Sequence, residues 1–232
     1  MPVKKPYTKP SVQTPKFSKV PLCKAHRAQL ASGKEIFRTR LKPKAYLLEQ
    51  KLRSKGIPVP DELIVRHLEG GFVEVYHKGH GVSMGDILEG VNRKKQAQII
   101  ASAVENLAKM HTLGVYHADL HEENIIVDPE TNKVRFIDFE YSENLSKLKG
   151  VEDLNAKKLF DDLESILEIV DYYVAPQRVR TSKQKFEFLV SVFGTYLEHY
   201  NDSEFPGLKG RIKERIVEYL QTKFPTFMKY SK

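Results

Sequence analysis

The stretch from Val115 to Glu140, VYHADLHEENIIVDPETNKVRFIDFE, decides the fold of this chain. It contains two short runs of β-branched and aromatic residues, 125–127 and 134–137, which suit neighbouring strands. The residues between them begin with Asp128-Pro129, a dipeptide that is typical of turns. The stretch therefore predicts a β-hairpin.

Polar side chains flank this hairpin in the sequence, before its first strand and after its second. Asp119 and Asn124 precede the first strand, and Asp138 follows the second. Pairing of the strands is expected to bring these three side chains to one end of the hairpin. Phosphoryl transfer requires such a set, because one carboxylate orients a hydroxyl nucleophile while oxygen ligands hold Mg²⁺ on the nucleotide phosphates. The alternative is an ordinary loop in which Asp and Asn cap turns.

Residues 117–124, HADLHEEN, followed by 138–140, DFE, resemble the catalytic and metal loops of the protein-kinase superfamily. The resemblance implies an α+β, two-lobe kinase-like fold with a reduced N-lobe and a mostly helical C-lobe. It also implies ATP and Mg²⁺ as cofactors. Asp119 would be the catalytic residue, and Asn124 and Asp138 would bind Mg²⁺ and so bridge the nucleotide phosphates.

Two departures from the common protein-kinase pattern, and one further segment, narrow the family that the chain resembles. His121 stands where protein kinases usually have Lys, as it often does in aminoglycoside and choline kinases. Glu140 replaces the usual Gly, which is similar to choline kinases. The segment 56–60, GIPVP, resembles a helix-to-strand crossing in RIO and KEOPS-complex kinases. We therefore expect a small atypical kinase that resembles these families or the Kdo-, aminoglycoside- and choline-kinase-type phosphotransferases.

The same resemblance assigns supporting residues around the 117–124 loop. His117 would brace the loop, and His111 is interpreted as structural. The segment 162–166, DLESI, is similar to a stretch of casein kinases, whose Asp accepts backbone N–H bonds from the catalytic loop. This places Asp162 beneath the loop. No Ala-Pro-Glu lies between Asp138 and Asp162, so the part of an activation segment that docks peptides is missing.

The residues that would bind the nucleotide are harder to identify from the sequence, because the chain has neither a Gly-x-Gly-x-x-Gly loop nor a Val-Ala-Ile-Lys strand. Arg38 is expected to lie near the phosphates, with Glu49 as its helix partner. The backbone of Glu74 to Tyr76 is expected to form the hinge that binds adenine. The alternatives are an exposed strand arginine and a solvated helix acid.

Periodicity and helix-end signals predict the remaining elements. The expected strands are 62–66 and 71–77, with a turn at Ser32-Gly33-Lys34. The expected helices are 45–55, 93–113, 153–173, 183–200 and 208–224.

The amino-acid composition limits the classes of protein to which the chain could belong. The 232 residues are 41% hydrophobic and 29% charged, which is typical of a soluble globular protein. No apolar stretch reaches the roughly 18 residues that span a bilayer, and no secretory signal is visible. Cys23 is the single cysteine, which excludes an intrachain disulfide and suits the cytoplasm.

The net charge of +8 lies mostly at the N-terminus, where residues 1–27 hold seven Lys and Arg and no acid. Residues 1–19 are expected to form a basic disordered tail, and 20–232 a kinase-like domain with lobes of about 20–77 and 78–232. The tail suits RNA or an acidic partner, or has no dedicated partner.

Two further functional classes stay open beside a hydroxyl kinase. One is a nucleotide-binding pseudokinase, and the other is an RNA- or ribosome-associated ATPase-type factor. The acceptor of a kinase would be protein Ser/Thr, a sugar or glycolipid hydroxyl, or an amino alcohol.

Overall fold

The computed structural model describes residues 36–68, 72–78, 81–145, 147–148, 150–173 and 182–228. The chain divides into two units, Met1–Lys34 and Glu35–Lys232, and all described residues belong to the second. The expected basic tail and the expected turn at Ser32-Gly33-Lys34 lie outside the described residues.

The N-terminal part of the described chain is a three-stranded antiparallel sheet with one helix. The helix has Pro at its first position, where no backbone donor is needed, and Gly56 follows it with a φ of 74°. Its apolar residues Leu48 and Leu52 are buried. The sheet order is β1–β3–β2, so β3 is the central strand. The elements are β1 (Ile36–Leu41), α1 (Pro43–Ser54), β2 (Glu62–His67) and β3 (Val73–Lys78).

The C-terminal part is mostly helical and carries two small sheets. Its elements are β4 (Val82–Ser83), α2 (Met84–Gly90), α3 (Arg93–Thr112), β5 (Val115–Tyr116), β6 (Ile125–Val127), β7 (Val134–Phe136), β8 (Glu143–Asn144), α4 (Glu152–Tyr173), α5 (Ser182–His199), α6 (Leu208–Lys223) and α7 (Pro225–Met228). A 3₁₀ turn, Glu122–Asn124, leads into β6.

The predicted hairpin is confirmed. β6 and β7 pair antiparallel, with Ile126 opposite Arg135, and β4 adds a third strand beside β6. The Asp128 carboxylate closes the turn by accepting hydrogen bonds from the backbone N–H groups of Glu130 and Thr131, at 2.9 and 3.1 Å. Residues 119–124 and Asp138 therefore lie at the opposite end from the turn.

Side-chain caps fix the helices that lead to the 117–124 loop. The Asn92 side chain accepts from the N–H of Lys95 at the start of α3, and Ser83 does the same for Asp86 at the start of α2. Gly114, with a φ of 69°, ends α3 and turns the chain into β5. The predicted helix bounds agree with the structure to within about two residues.

One continuous core joins these elements. The buried face of α3 packs against α5 and α4, and α4 packs against α6. Residues such as Ile99, Leu107, Leu163 and Ile166 are fully buried there. The predicted α+β class with a mostly helical C-terminal part is confirmed. Among the described residues, no helix combines the length and apolar character that crossing a bilayer requires.

Candidate active site

Asp162 anchors the 117–124 loop from below. Its carboxylate lies on α4 with an exposed fraction of 3%. It accepts hydrogen bonds from the backbone N–H of His117 at 2.6 Å and from that of Ala118 at 2.9 Å. A buried carboxylate is stable only when such donors replace the water it has lost. The start of the loop is thereby fixed to the middle of α4.

A buried side-chain relay extends this anchor to α5. His111 Nε2 lies 3.1 Å from the Asp162 carboxylate, and His111 Nδ1 lies 2.6 Å from the hydroxyl oxygen of Tyr196. An ionised carboxylate only accepts, so Nε2 donates to Asp162, and Nδ1 forms the hydrogen bond with the Tyr196 hydroxyl. Burial raises the pKa of Tyr196 well above its ordinary value, which keeps its hydroxyl proton in place.

His117 joins the 117–124 loop to the loop that carries Asp138. Its Nε2 donates to the backbone carbonyl of Ile137 at 2.9 Å, and its own carbonyl accepts from the Ser142 hydroxyl at 2.9 Å. Its ring packs against Phe139, with centroids 5.0 Å apart. Burial lowers the pKa of His117, and the carboxylate of Asp162 only partly opposes this effect. His117 is therefore a neutral brace between the two loops.

Asn124 ties the end of the 117–124 loop to Asp119. Its side-chain Nδ2 donates to the backbone carbonyl of Asp119 at 2.8 Å. Its backbone carbonyl accepts from the backbone N–H of Ile137 at 3.0 Å. A backbone carbonyl only accepts, so the contacting side-chain atom is nitrogen, and the amide oxygen points to the other side. An amide oxygen is a suitable ligand for a hard cation.

The loop carrying Asp138 has an unusual backbone. Asp138 has a φ of 61°, and Ala118 in the facing loop has a φ of 66°. Left-handed backbone is uncommon outside glycine and concentrates at sites where the surrounding structure imposes it. The Asp138 side chain is exposed, whereas Asp119 is half-buried. The two carboxylates that the sequence predicted for chemistry are thus accessible, while Asp162 is not.

Glu49 is the buried acid on the N-terminal side of the site. Its exposed fraction is 2%, and its Oε2 has no hydrogen-bond partner among the described residues. Burial raises the pKa of Glu49 to about 7, an effect that Arg53 opposes and the nearby carboxylates of Glu62 and Asp138 increase. The alternative of a solvated helix acid is therefore wrong.

Comparison with known proteins decides the family. The protein kinase domain family matches residues 73–195, which is more than half of the chain. The chain belongs to the protein kinase domain family. The predicted kinase class is confirmed at this level, whereas the resemblance to RIO, KEOPS-complex, Kdo, aminoglycoside or choline kinases stays a prediction.

Individual relatives are distant. A probable serine/threonine-protein kinase of Dictyostelium discoideum, fnkB, is 39% identical over 56 residues, which are 24% of this chain and 11% of that protein. The chain thus aligns with only about a tenth of that relative's length. The Cydia pomonella granulovirus kinase PK-1 has a TM-score of 0.48 at 13% identity, covering 71% of this chain and 77% of its own. The yeast RNA polymerase II CTD kinase complex CTDK-1 has a TM-score of 0.41 at 14% identity, covering 51% and 42%.

The hinge assignment to Glu74–Tyr76 is corrected by the sheet. In β3, Tyr76 lies opposite Arg38 of β1 on one side and Ile64 of β2 on the other. A central strand commits its backbone N–H and C=O groups to both neighbours, so these groups are not available to an adenine edge. Glu74 is buried within this strand. The Arg38 and Tyr76 side chains lie outside the described part of the structure.

Sequence reasoning missed the partners that lie far along the chain. Tyr196 carries no local signal that links it to His111, because it lies within an ordinary amphipathic helix. Ser142 falls in a short polar link whose sequence is uninformative. Both act through the folded arrangement and not through a motif.

Proposed function

We propose that this kinase transfers the γ-phosphoryl group of ATP to a hydroxyl group in an Mg²⁺-dependent reaction. The observation that carries the proposal is the hydrogen-bonded unit formed by the two loops. The Asn124 side-chain amide donates to the backbone carbonyl of Asp119, and the backbone N–H of Ile137 donates to the backbone carbonyl of Asn124. His117 Nε2 donates to the backbone carbonyl of Ile137. The three residues proposed for chemistry are therefore positioned together by backbone and buried side-chain contacts.

Asp119 is the proposed catalytic residue. Its carboxylate would accept a hydrogen bond from the acceptor hydroxyl and take up its proton as the new O–P bond forms and the bond between the β- and γ-phosphates breaks. Its half-buried position leaves it accessible to an acceptor while the Asn124 amide fixes its backbone.

Asn124 and Asp138 are the proposed metal ligands. A carboxylate and an amide oxygen suit Mg²⁺, and the Asn124 oxygen is the side-chain atom that does not bind Asp119. When bound, the ion would offset the negative charge of the phosphates. On the N-terminal side, Arg38 stays the proposed phosphate cation and Glu49 its helix partner. The backbone of Glu74–Tyr76 is not kept as the adenine-binding hinge, because β3 lies between two strands.

The test compares wild-type protein with Asp119→Asn, which keeps the side-chain shape and removes the charge. We expect single-turnover phosphoryl transfer to fall by roughly 10²-fold or more, the usual scale for a positioned base. ATP affinity, measured by thermal shift with and without Mg²⁺, should be unchanged. Equal transfer rates in both proteins would exclude Asp119 as the base. ATP binding without turnover in either protein would instead indicate a pseudokinase.

The RNA- or ribosome-associated alternative rests on the seven basic residues within positions 1–27. We keep the boundary between a tail at 1–19 and a kinase domain at 20–232, and cytoplasmic residence, as parts of the proposal. Salt-dependent RNA binding by the intact protein that is lost after deletion of residues 1–19 would support this partner. Equal binding by both proteins would remove it.

A further inference from the structure

A cavity of about 330 Å³ lies beside the proposed catalytic residue, between the 117–124 loop and α4. Its size is at the lower end of the range for sites that bind small molecules. Its lining combines polar and apolar surface and includes the ring of Tyr116. The residues that matter for its chemistry are Tyr116, Asp119, His121, Lys158, Asp161 and Ser165.

A small side chain stands at the edge of the cavity. Ala118 also lines it, and the backbone N–H of Ala118 donates to the Asp162 carboxylate, which anchors this part of the loop. On the other side, Ser165 presents a short side chain whose hydroxyl donates to the backbone carbonyl of Asp161. The cavity is therefore bounded on one side by the anchored backbone of the 117–124 loop and on the other side by α4.

The charges around the cavity are balanced except at one point. Lys158 lies 3.5 Å from the Glu143 carboxylate and 4.6 Å from the centre of the Tyr116 ring. Asp161 is paired with Lys157 at 2.6 Å.

The remaining buried carboxylate, Asp162, is saturated by the donors described above. Asp119 is the carboxylate without such a counter-charge among the described residues that line the cavity, and it is the group proposed to receive a hydroxyl.

We propose that this cavity is the acceptor site and that it binds a small polyhydroxylated molecule such as a monosaccharide or polyol. This inference rests on the proposed function of Asp119. Lys158 already lies beside the Glu143 carboxylate, so it is not a free cation for an anionic acceptor, whereas the carboxylate, hydroxyl and imidazole groups of the lining can pair with several hydroxyls at once. A peptide would instead need an extended groove or a free strand edge for its backbone.

The test uses the full-length protein, γ-labelled ATP and a fixed acceptor panel of D-glucose, D-ribose, myo-inositol, sorbitol and glycerol. A degenerate Ser/Thr peptide library forms the second arm. Binding of each sugar or polyol is followed by saturation-transfer NMR, which does not depend on turnover. We expect at least one of the five compounds to bind and to be phosphorylated, and the peptides to be poor acceptors.

The deciding variants form a graded series at Ser165. Ser165→Gln should lower kcat/KM for the small acceptor, and Ser165→Tyr should lower it by roughly 10²-fold, because a bulky side chain displaces the acceptor from Asp119. ATP affinity and melting temperature should stay unchanged. The matched control is Ser191→Tyr, since Ser191 is an exposed helical serine on α5 and does not line the cavity. Ser165→Gln carries the test if the tyrosine variant does not fold.

The outcomes separate this inference from the proposed function. Peptide labelling that depends on Asp119, without labelling of any sugar or polyol, overturns the acceptor class and leaves the kinase intact. A small acceptor that Ser165→Tyr phosphorylates as fast as the wild type overturns the cavity as its site. ATP consumption that is equal in wild type and Asp119→Asn overturns the proposed function and this inference together.

Discussion

Asp162 and Glu49 are both almost fully buried carboxyl groups on helices, yet their surroundings are opposite. Asp162 on α4 receives three donors, two from the backbone of the 117–124 loop and one from His111. Glu49 on α1 has an oxygen without a partner among the described residues, and burial raises its pKa. Burial alone therefore does not define a role. A carboxylate whose oxygens receive several donors holds a loop in place, whereas the unsatisfied Glu49 carboxyl is the one that we propose pairs with a cation, Arg38.

Asp138 extends the comparison to an exposed carboxylate, and its loss should have the largest effect on activity. Asp138→Asn is expected to lower Mg²⁺-dependent turnover by at least about 10²-fold, because the proposed site loses a charged ligand. The melting temperature should not change, since the side chain is exposed. Turnover is measured in single-turnover assays across an Mg²⁺ titration. The control is Glu140→Gln in the same loop, and near-native turnover of Asp138→Asn would remove Asp138 from the metal site.

Asp162→Ala should have the largest effect on stability. It leaves the N–H groups of His117 and Ala118 buried without their acceptor, at a cost of roughly 1–3 kcal/mol in the free energy of unfolding. Activity should fall as well, because the 117–124 loop loses its anchor. Urea unfolding followed by circular dichroism measures the first effect. Asp171→Ala, an exposed carboxylate on the same helix, serves as control, and an unchanged free energy of unfolding in Asp162→Ala would contradict the anchoring role.

Glu49→Gln should change the pH dependence of stability. The ordinary pKa of Glu is 4.5 and that of folded Glu49 is about 7, so the folded state holds the proton more tightly. The cost of burying the charge is therefore absent below about pH 4.5, grows between 4.5 and 7, and is constant above that, at up to about 3 kcal/mol.

Relative to wild type, Glu49→Gln should gain stability as pH rises through that window and should bind Mg·ATP more weakly. Urea unfolding at pH 5 and pH 8 measures the change, with Glu89→Gln, an exposed residue of α2, as control. The same pH slope in Glu49→Gln and wild type would indicate that the carboxyl has a charged partner in solution.

Tyr196→Phe should have the smallest effect of the four. It removes one hydrogen bond to His111 at the far end of the relay, which is worth about 1 kcal/mol. Tyr200→Phe is the matched control, because the buried Tyr200 hydroxyl has no hydrogen-bond partner among the described residues. The melting temperatures of both variants, measured by thermal unfolding, show whether the hydrogen bond between Tyr196 and His111 contributes to stability. Equal melting temperatures would show that the relay ends at His111.

Much of this arrangement could be predicted because its signals are local. Asn92 and Gly114 delimit α3 by capping and by a left-handed turn, and the helix bounds follow from them. Asp119, Asn124 and Asp138 stand at fixed spacing around a hairpin that the sequence marks clearly. In these cases the residues that determine the geometry lie within a few positions of each other.

The features that could not be predicted from the sequence depend on contacts between segments that are distant along the chain. The hinge was misplaced because nothing within 71–77 tells that β3 lies between β1 and β2 and not at a sheet edge. The contact between His111 and Tyr196, and the cavity beside Asp119, arise only when α3, α4 and α5 have packed. Such features follow from tertiary structure and have no period or motif of their own.

The relay from the 117–124 loop to α5 has a consequence for the order of folding. Tyr196 lies 85 residues beyond His111, so the contact closes one of the longer loops in the domain. Until α5 docks, His111 lacks one of its two partners and Asp162 is held less rigidly. The hairpin can form early from neighbouring residues, but the active geometry of the 117–124 loop is completed late. A chain that has not yet docked α5 is thus expected to be inactive, and recovery of phosphoryl transfer during refolding should lag behind the recovery of secondary structure.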